Sequence, residues 1–193
     1  SLPLLKALLC SGLFPNVALF RDKRRFRSKL QNMLHPFPSS VVSKVEEDDV
    51  SSPFFVYDEM VKTASDPRVF FRNITNCSVW AIILLGASSS HSHMEFRHDL
   101  NLAILDDWIV FRVTADALEL IQYLKHKFLN CIERKFTNPA DAENNELLVK
   151  MQKIIQSLVT EPVRPNDLTT SLWSEKGELV EVDISKLISE TER

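Results

Sequence analysis

"ALLCSGLFPNVALF", residues 7–20, is the stretch on which the fold turns. Around its first half, Leu4, Leu5, Leu8, Leu9 and Leu13 recur at helical spacing. Pro3 suits a first helical turn and Gly12 lies near a C-terminal cap, so a short helix is predicted over Leu2 to Leu13. Pro15-Asn16 ends it, and Val17 to Phe20 is short, apolar and β-prone, which makes it a first strand. The chain then enters the basic run "RDKRRFR", residues 21–27.

Working outward, Arg24 to Leu30 and Met33 to His35 read as two further strands, the second closed by Pro36-Phe37-Pro38, giving a small antiparallel meander. Ser39 to Ser52, with the acidic run Glu46 to Asp49 inside it, is a polar loop. "FFVYDEMVKT", Phe54 to Thr63, is aromatic and β-branched enough for one long strand, and Arg68 to Ile74 for its hairpin partner across the Ala64 to Pro67 turn. Ser78 to Ala87 fits a buried helix or a strand, because so short an apolar run has no decisive period; helix is preferred. Ser88 to Asp99 is an insertion-like loop, and Leu102 to Leu105 with Trp108 to Val113 forms a last hairpin turned at Asp106-Asp107. Thr114 is an N-cap for a long amphipathic helix carrying Leu118, Ile121, Leu124, Phe128, Ile132 and Phe136, and Asn138-Pro139 separates it from a second helix carrying Leu147 to Leu158.

These elements predict an α+β chain: a small OB-like antiparallel β-barrel with a leading short helix and a C-terminal helical hairpin. The expected organisation is a barrel with its leading helix over 1–113, a helical flank over 114–160 packed on the barrel, and a polar, loosely attached tail over 161–193.

At 193 residues, with 45% hydrophobic and 25% charged residues, the chain has the composition of one globular domain plus an appendage. Its longest apolar run, Val79 to Leu85, falls far short of a membrane span, so no membrane association and an intracellular setting, cytoplasmic or nuclear, are expected. Cys10, Cys77 and Cys131 are odd in number and widely spaced, which predicts three buried thiols. The net charge of −3 conceals a split. Residues 1–40 hold seven Lys/Arg and one Asp, or +6, leaving 16 Lys/Arg against 25 Asp/Glu, or −9, in the remainder. Such segregation points to an anionic partner near the N-terminal part.

The motifs of nucleotide and hydrolytic chemistry, G-x-x-x-x-G-K-[ST], G-x-G-x-x-G, G-x-S-x-G and H-E-x-x-H, are all absent from the sequence, so no catalytic residues, no metal and no cofactor are assigned. His91, His93, Glu95 and His98 are the one ligand-like cluster, and their Ser-rich setting reads as a solvated loop.

Six stretches, in this order, carry a family resemblance: "ALLCSGLFPNVA" (7–18), "HPFPSSVV" (35–42), "FFVYDEMVKT" (54–63), "VFFRNIT" (69–75), "ILLG" (83–86) and "LDDWIVF" (105–111). Together they resemble the C-terminal OB-fold accessory region of DExH-box ATP-dependent RNA helicases of the RNA helicase A-like group, over Leu4 to Leu158. The abrupt apolar start is then expected to be an interior point of a longer chain. The resemblance implies a non-catalytic accessory domain that guides single-stranded RNA, with the motor domains of the same chain as partners and a protein cofactor as a further candidate. ATP and Mg would belong to the intact helicase. Two departures are visible: His35-Pro36-Phe37-Pro38-Ser39-Ser40 carries two extra residues within the family's His-Pro-Ser-Ser loop, and the acidic run Glu46 to Asp49 follows at once.

On a strand, alternation places Arg25, Arg27 and Lys29 on one face, where they could track a phosphate backbone or simply be a solvated edge that discourages pairing. The family pattern adds His35, Ser39 and Ser40 in a turn and Lys62-Thr63 at a strand end as RNA contacts; by residue type alone they make turns. Of Phe54, Phe55, Tyr57, Phe70 and Phe71, at most one is expected to face a base, and Trp108 belongs to the core. A module that docks a protein cofactor or the helicase motor core is the competing reading.

Overall fold

A helix, α1 (Leu2–Leu13), leads into β1 (Val17–Phe20) through a cis Phe14–Pro15 bond. The computed structural model describes residues 1–20, 25–46, 50–64, 66–86, 94–97, 99, 102–112, 115–160, 173–174 and 177–181. β1 is buried along its whole length because both of its faces are covered. Val17 and Leu19 point into a core shared with the helices, while Ala18 and Phe20 point into a second, aromatic core.

The first sheet has the order β2-β1-β4-β7, built from β2 (Phe26–Ser28), β4 (Phe54–Val56) and β7 (Thr75–Cys77) around β1, and all its pairings are antiparallel. The second has the order β3-β6-β5: β3 (His35–Pro36) runs parallel to β6 (Asp66–Arg72), and β5 (Glu59–Thr63) runs antiparallel to it. A bridge between Phe26 and Leu34 joins the two sheets. The predicted α+β, OB-like class is what the chain adopts, although among the described residues the strands divide into separate sheets rather than closing one hydrogen-bonded barrel.

The long strand expected over Phe54 to Thr63 is two strands in two sheets. The break falls at Tyr57-Asp58, where Tyr57 N donates to Asn16 O and Asp58 N to Arg72 O, so the chain crosses from one sheet to the other. Asn16 Nδ2 fastens the crossing by donating to Asp58 O at 3.2 Å. The expectation of a loop from Ser88 to Asp99 is likewise corrected in part: Met94–Arg97 form β8, antiparallel to β9 (Leu102–Leu105).

Asp106 and Asp107, with φ of 52° and 65°, are the central residues of a turn closed by Trp108 N donating to Leu105 O at 3.3 Å, which leads β9 into β10 (Ile109–Arg112); Asp tolerates positive φ better than most residues. β11 (Trp173–Ser174) and β12 (Gly177–Glu181) complete a third sheet of order β11-β12-β10-β9-β8, with β12 parallel to β10 in the register Ile109↔Glu178.

The ambiguous apolar run is a helix, α2 (Val79–Leu85), buried at every position and capped by Ser78 Oγ, which accepts from Ala81 N. α3 (Ala115–Thr137) and α4 (Ala142–Thr160) form the predicted hairpin, and Leu118, Ile121, Leu124, Met151, Ile155 and Leu158 enter the helical core. Phe136, read as part of the packing stripe, is instead 83% exposed. All three cysteines are buried thiols. Arg24, Thr114, residues 47–49 of the acidic run, His91, His93 and His98, and most of 161–193 lie outside the described residues.

At the end of α2, a Cβ on Gly86 would stand 2.3 Å from Ile82 O, a backbone atom with little room to give, and 3.0 Å from the half-buried Phe14 ring. Gly86→Ala is therefore expected to destabilise the chain by about 2 kcal/mol, lowering the thermal midpoint by roughly 6 °C, as overpacking does. A melting curve superimposable on the unaltered one would show that α2 can shift freely.

Candidate nucleic-acid interface

β6 is the spine of the site. Phe71 points inward, fully buried against Phe26 and Tyr57, so alternation sends Arg68, Phe70 and Arg72 to the outer face of the β3-β6-β5 sheet. The register sets His35 beside Phe70 on one side and Glu59 beside Arg72 on the other. Phe37 N donates to Phe71 O at 3.0 Å, so the segment after β3 stays on the sheet and its ring reaches the outer face.

There the rings and cations interleave. Phe37 meets Phe70 edge-on at 5.9 Å, the His35 ring lies 6.3 Å from Phe70, the Arg68 guanidinium sits 5.2 Å above Phe70, and that of Arg72 lies 3.8 Å from the Phe37 ring centre. Both arginines also have carboxylate partners within the chain. Arg68 clasps Asp66 through Nε and Nη2, at 3.0 and 2.7 Å, and Arg72 reaches Glu59 at 3.5 Å. The clasp holds the Asp66 carboxyl down at about 2. Burial, together with the charges of Arg68 and Arg25, lowers the His35 pKa, so its imidazole is neutral near pH 7 and offers a hydrogen bond in place of a charge.

The residues singled out in the sequence occupy three places. Arg25 is exposed immediately before β2 and close enough to His35 for its charge to depress the imidazole, which brings these two to the seam between the sheets. Arg27 is half-buried in β2, between the buried Phe26 and Ser28. Lys29 turns away toward the β9–β10 hairpin, where Nζ meets Asp106 Oδ1 at 3.1 Å and Asp107 Oδ2 at 3.9 Å.

Ser39 is exposed, and Ser40 caps the single 3-10 turn Val41–Lys44 by accepting from Val42 N. Lys62 and Thr63 are exposed at the far end of β5, where an irregular register separates them. Of the aromatics, Phe70 alone lies on the outer side of the sheet, where it is itself buried at 6% exposure; Phe54, Phe55, Tyr57 and Phe71 are core, as is Trp108. Phe37, Arg68 and Arg72 were missed from the sequence, although the alternation of Arg68, Phe70 and Arg72 within "RVFFR" carries the signal.

The chain is a small α+β fold whose outer sheet face carries aromatic rings and carboxylate-paired arginines. Residues 5–89 match the family described as the oligonucleotide/oligosaccharide-binding (OB) fold. Among curated proteins the chain is 46% identical over 178 residues to RNA editing associated helicase 2 of Trypanosoma brucei brucei, covering 92% of this chain and 8% of that protein. It is 31% identical over 140 residues to DExH-box ATP-dependent RNA helicase DExH1 of Arabidopsis thaliana, covering 71% of this chain and 13% of that one. It is 23% identical over 163 residues to ATP-dependent DNA/RNA helicase DHX36 of Homo sapiens, covering 81% and 15%. The chain is an OB-fold region of the DExH-box helicase class, spanning a small fraction of the length of these relatives.

Proposed function

We propose that this chain is a non-catalytic RNA-binding domain that guides single-stranded RNA for ATP-dependent unwinding or remodelling by an intact DExH-box helicase. What supports the reading is that Arg25, Arg27, Lys29, His35, Ser39, Ser40, Lys62 and Thr63 all fall within the OB-matched residues 5–89. Its partners are then single-stranded RNA and the motor domains of the same protein, in an intracellular setting; among the described residues no helix is long and apolar enough to cross a membrane. ATP and Mg would be held by the motor, since this sequence lacks a phosphate-cradling motif and no step is assigned to them here. On the same reading 1–113 is the binding unit, 114–160 its helical flank and 161–193 an appendage.

A second reading, a module docking a protein cofactor or the motor core, draws on α1, whose Leu2, Leu5 and Leu8 are 65%, 54% and 60% exposed.

A salt titration of binding to unrelated single-stranded RNAs separates the two. Each phosphate neutralised contributes roughly 0.7 to the slope of log affinity against log salt, so Arg25→Ala with Arg27→Ala should flatten it by about 1.4. Lys29→Ala tests the third member of the set, whose ammonium is shared with Asp106 and Asp107. If the double variant kept both affinity and slope, the basic strand would not be the RNA path and docking would become the preferred reading.

A further inference from the structure

We propose that the outer face of the β3-β6-β5 sheet is a base-stacking ledge, on which the guanidinium of Arg72, backed by Phe37, receives the flat face of an unpaired nucleobase and Arg68 on Phe70 provides a second plane. The proposal rests on the RNA-binding reading above and adds to it a means of telling single strands from duplex and from bare phosphate.

A guanidinium has two kinds of surface. Its in-plane N–H groups bind carboxylates and phosphates, and its π face stacks on rings. Here only part of the in-plane edge is engaged within the chain, and Arg72 Nε is buried without a hydrogen-bond partner among the described residues. Arg68 Nε and Nη2 are given to Asp66, and Arg72 Nη1 lies 3.5 Å from Glu59.

What each arginine also offers is its plane. The side chain of Arg72 is 40% exposed and that of Arg68 58% exposed, while one face of each is laid on a phenylalanine. A base leaves both carboxylate contacts in place, because it lies on the plane. The local charges point the same way. Arg68 with Asp66 and Arg72 with Glu59 are each near neutral, so the ledge adds little counterion release and its contribution should be insensitive to salt.

Bases in a duplex already stack on one another and cannot lie on such a plane without unstacking, which makes the ledge selective for single strands. Phe37 stands within the loop where this chain departs from the His-Pro-Ser-Ser spacing, so the backing ring is a feature of this sequence rather than of the loop pattern.

The test uses the whole 193-residue chain and fluorescent oligonucleotides of about ten nucleotides, a typical OB site size, in base-bearing and fully abasic forms with equal numbers of phosphates. The unaltered chain is expected to bind the base-bearing form roughly tenfold more tightly than the abasic one. Arg72→Lys keeps the charge and loses the plane, and Phe37→Leu keeps an apolar contact with Phe70 and loses the ring; each should close most of that gap while leaving the salt slope unchanged. Circular dichroism melts confirm that both variants fold, and Arg68→Lys reports on the second plane. Equal binding of both forms by the unaltered chain, or a gap that persists in both variants, overturns the ledge and leaves the RNA reading standing. Failure to bind either form overturns the RNA reading itself.

Discussion

Phe26→Ala should cost about 4 kcal/mol and lower the thermal midpoint by roughly 10 °C, the largest single-residue loss expected in the OB-matched half of the chain. Phe26 is 1% exposed and stands at the centre of the aromatic core, with Phe20, Phe55 and Phe71 ring centres at 5.2, 5.1 and 4.9 Å, all in edge-on geometry. That core is small: Ala18, Phe20, Phe26, Leu34, Val50, Phe55, Tyr57 and Phe71 are its buried members, so neighbours cannot close over a lost ring without leaving the sheets. Backbone bonds in both directions between Phe26 and Leu34, at 3.0 and 2.8 Å, also make this residue the tie between the first two sheets.

Because Phe26 lies between Arg25 and Arg27, the same substitution should loosen the basic segment and weaken RNA binding beyond what either arginine alone contributes. Denaturant unfolding and RNA titration on one preparation check both effects. A variant that lost less than about 1 kcal/mol would mean that the ring lies at the margin of the core rather than at its centre.

How far the sequence foretold this arrangement depends on where the deciding contacts lie along the chain. α1, β1, the β9–β10 hairpin and the α3–α4 hairpin were legible because their signals are local: leucine spacing, Pro15-Asn16, Asp106-Asp107 and Asn138-Pro139. The division of Phe54 to Thr63 was not, since an aromatic run has no mark at Tyr57-Asp58. The break is imposed by Asn16 and Arg72, 42 and 14 residues distant from Asp58. β8 was read as loop because Met94 and Phe96 are too few apolar residues to signal a strand without β9 beside them.

The same limit applies to the site. Alternation identified Arg25, Arg27 and Lys29 as a set, but the pairing of Lys29 with Asp106 spans 77 residues and cannot be read from spacing. Conversely, the contact of Arg72 with Phe37 depends on β3 lying beside β6, which no local pattern marks.

Raising the pH from about 7 toward 10 should stabilise the fold through Lys125, by about 3 kcal/mol over the full window. α2 is buried throughout, so its last carbonyls cannot turn to water. Lys125 Nζ, reaching across from α3, donates to Ile83 O at 3.3 Å and to Gly86 O. A cation suits a helix C-terminus, yet desolvation dominates and pushes the ammonium down to about 8 from 10.5.

The sign follows from proton counting. Between about 8 and 10.5 the folded chain has released the proton while the unfolded chain still binds it, so stability rises with pH across that interval; below it, both states are protonated and the folded state carries the cost of the buried charge. Cys10 works in the opposite direction. Its hydrogen bond with Cys77 and its burial raise its pKa, so above the ordinary thiol value of 9.0 the unfolded chain ionises first and stability falls. Tyr57, raised by burial, does the same above 10.0.

The interval from pH 8 to 9 therefore isolates the lysine, with an expected gain of about 1 kcal/mol, and Lys125→Met subtracts the other groups over the whole range. At pH 7 the Met variant should be close to the unaltered chain, since relief of the buried charge offsets the two carbonyls left without their donor. Chemical denaturation from pH 7 to 10 should then show the two stability curves diverging as pH rises, the unaltered chain gaining and the Met variant not. Parallel curves would mean that the ammonium is solvated and that the end of α2 is held by something other than this charge.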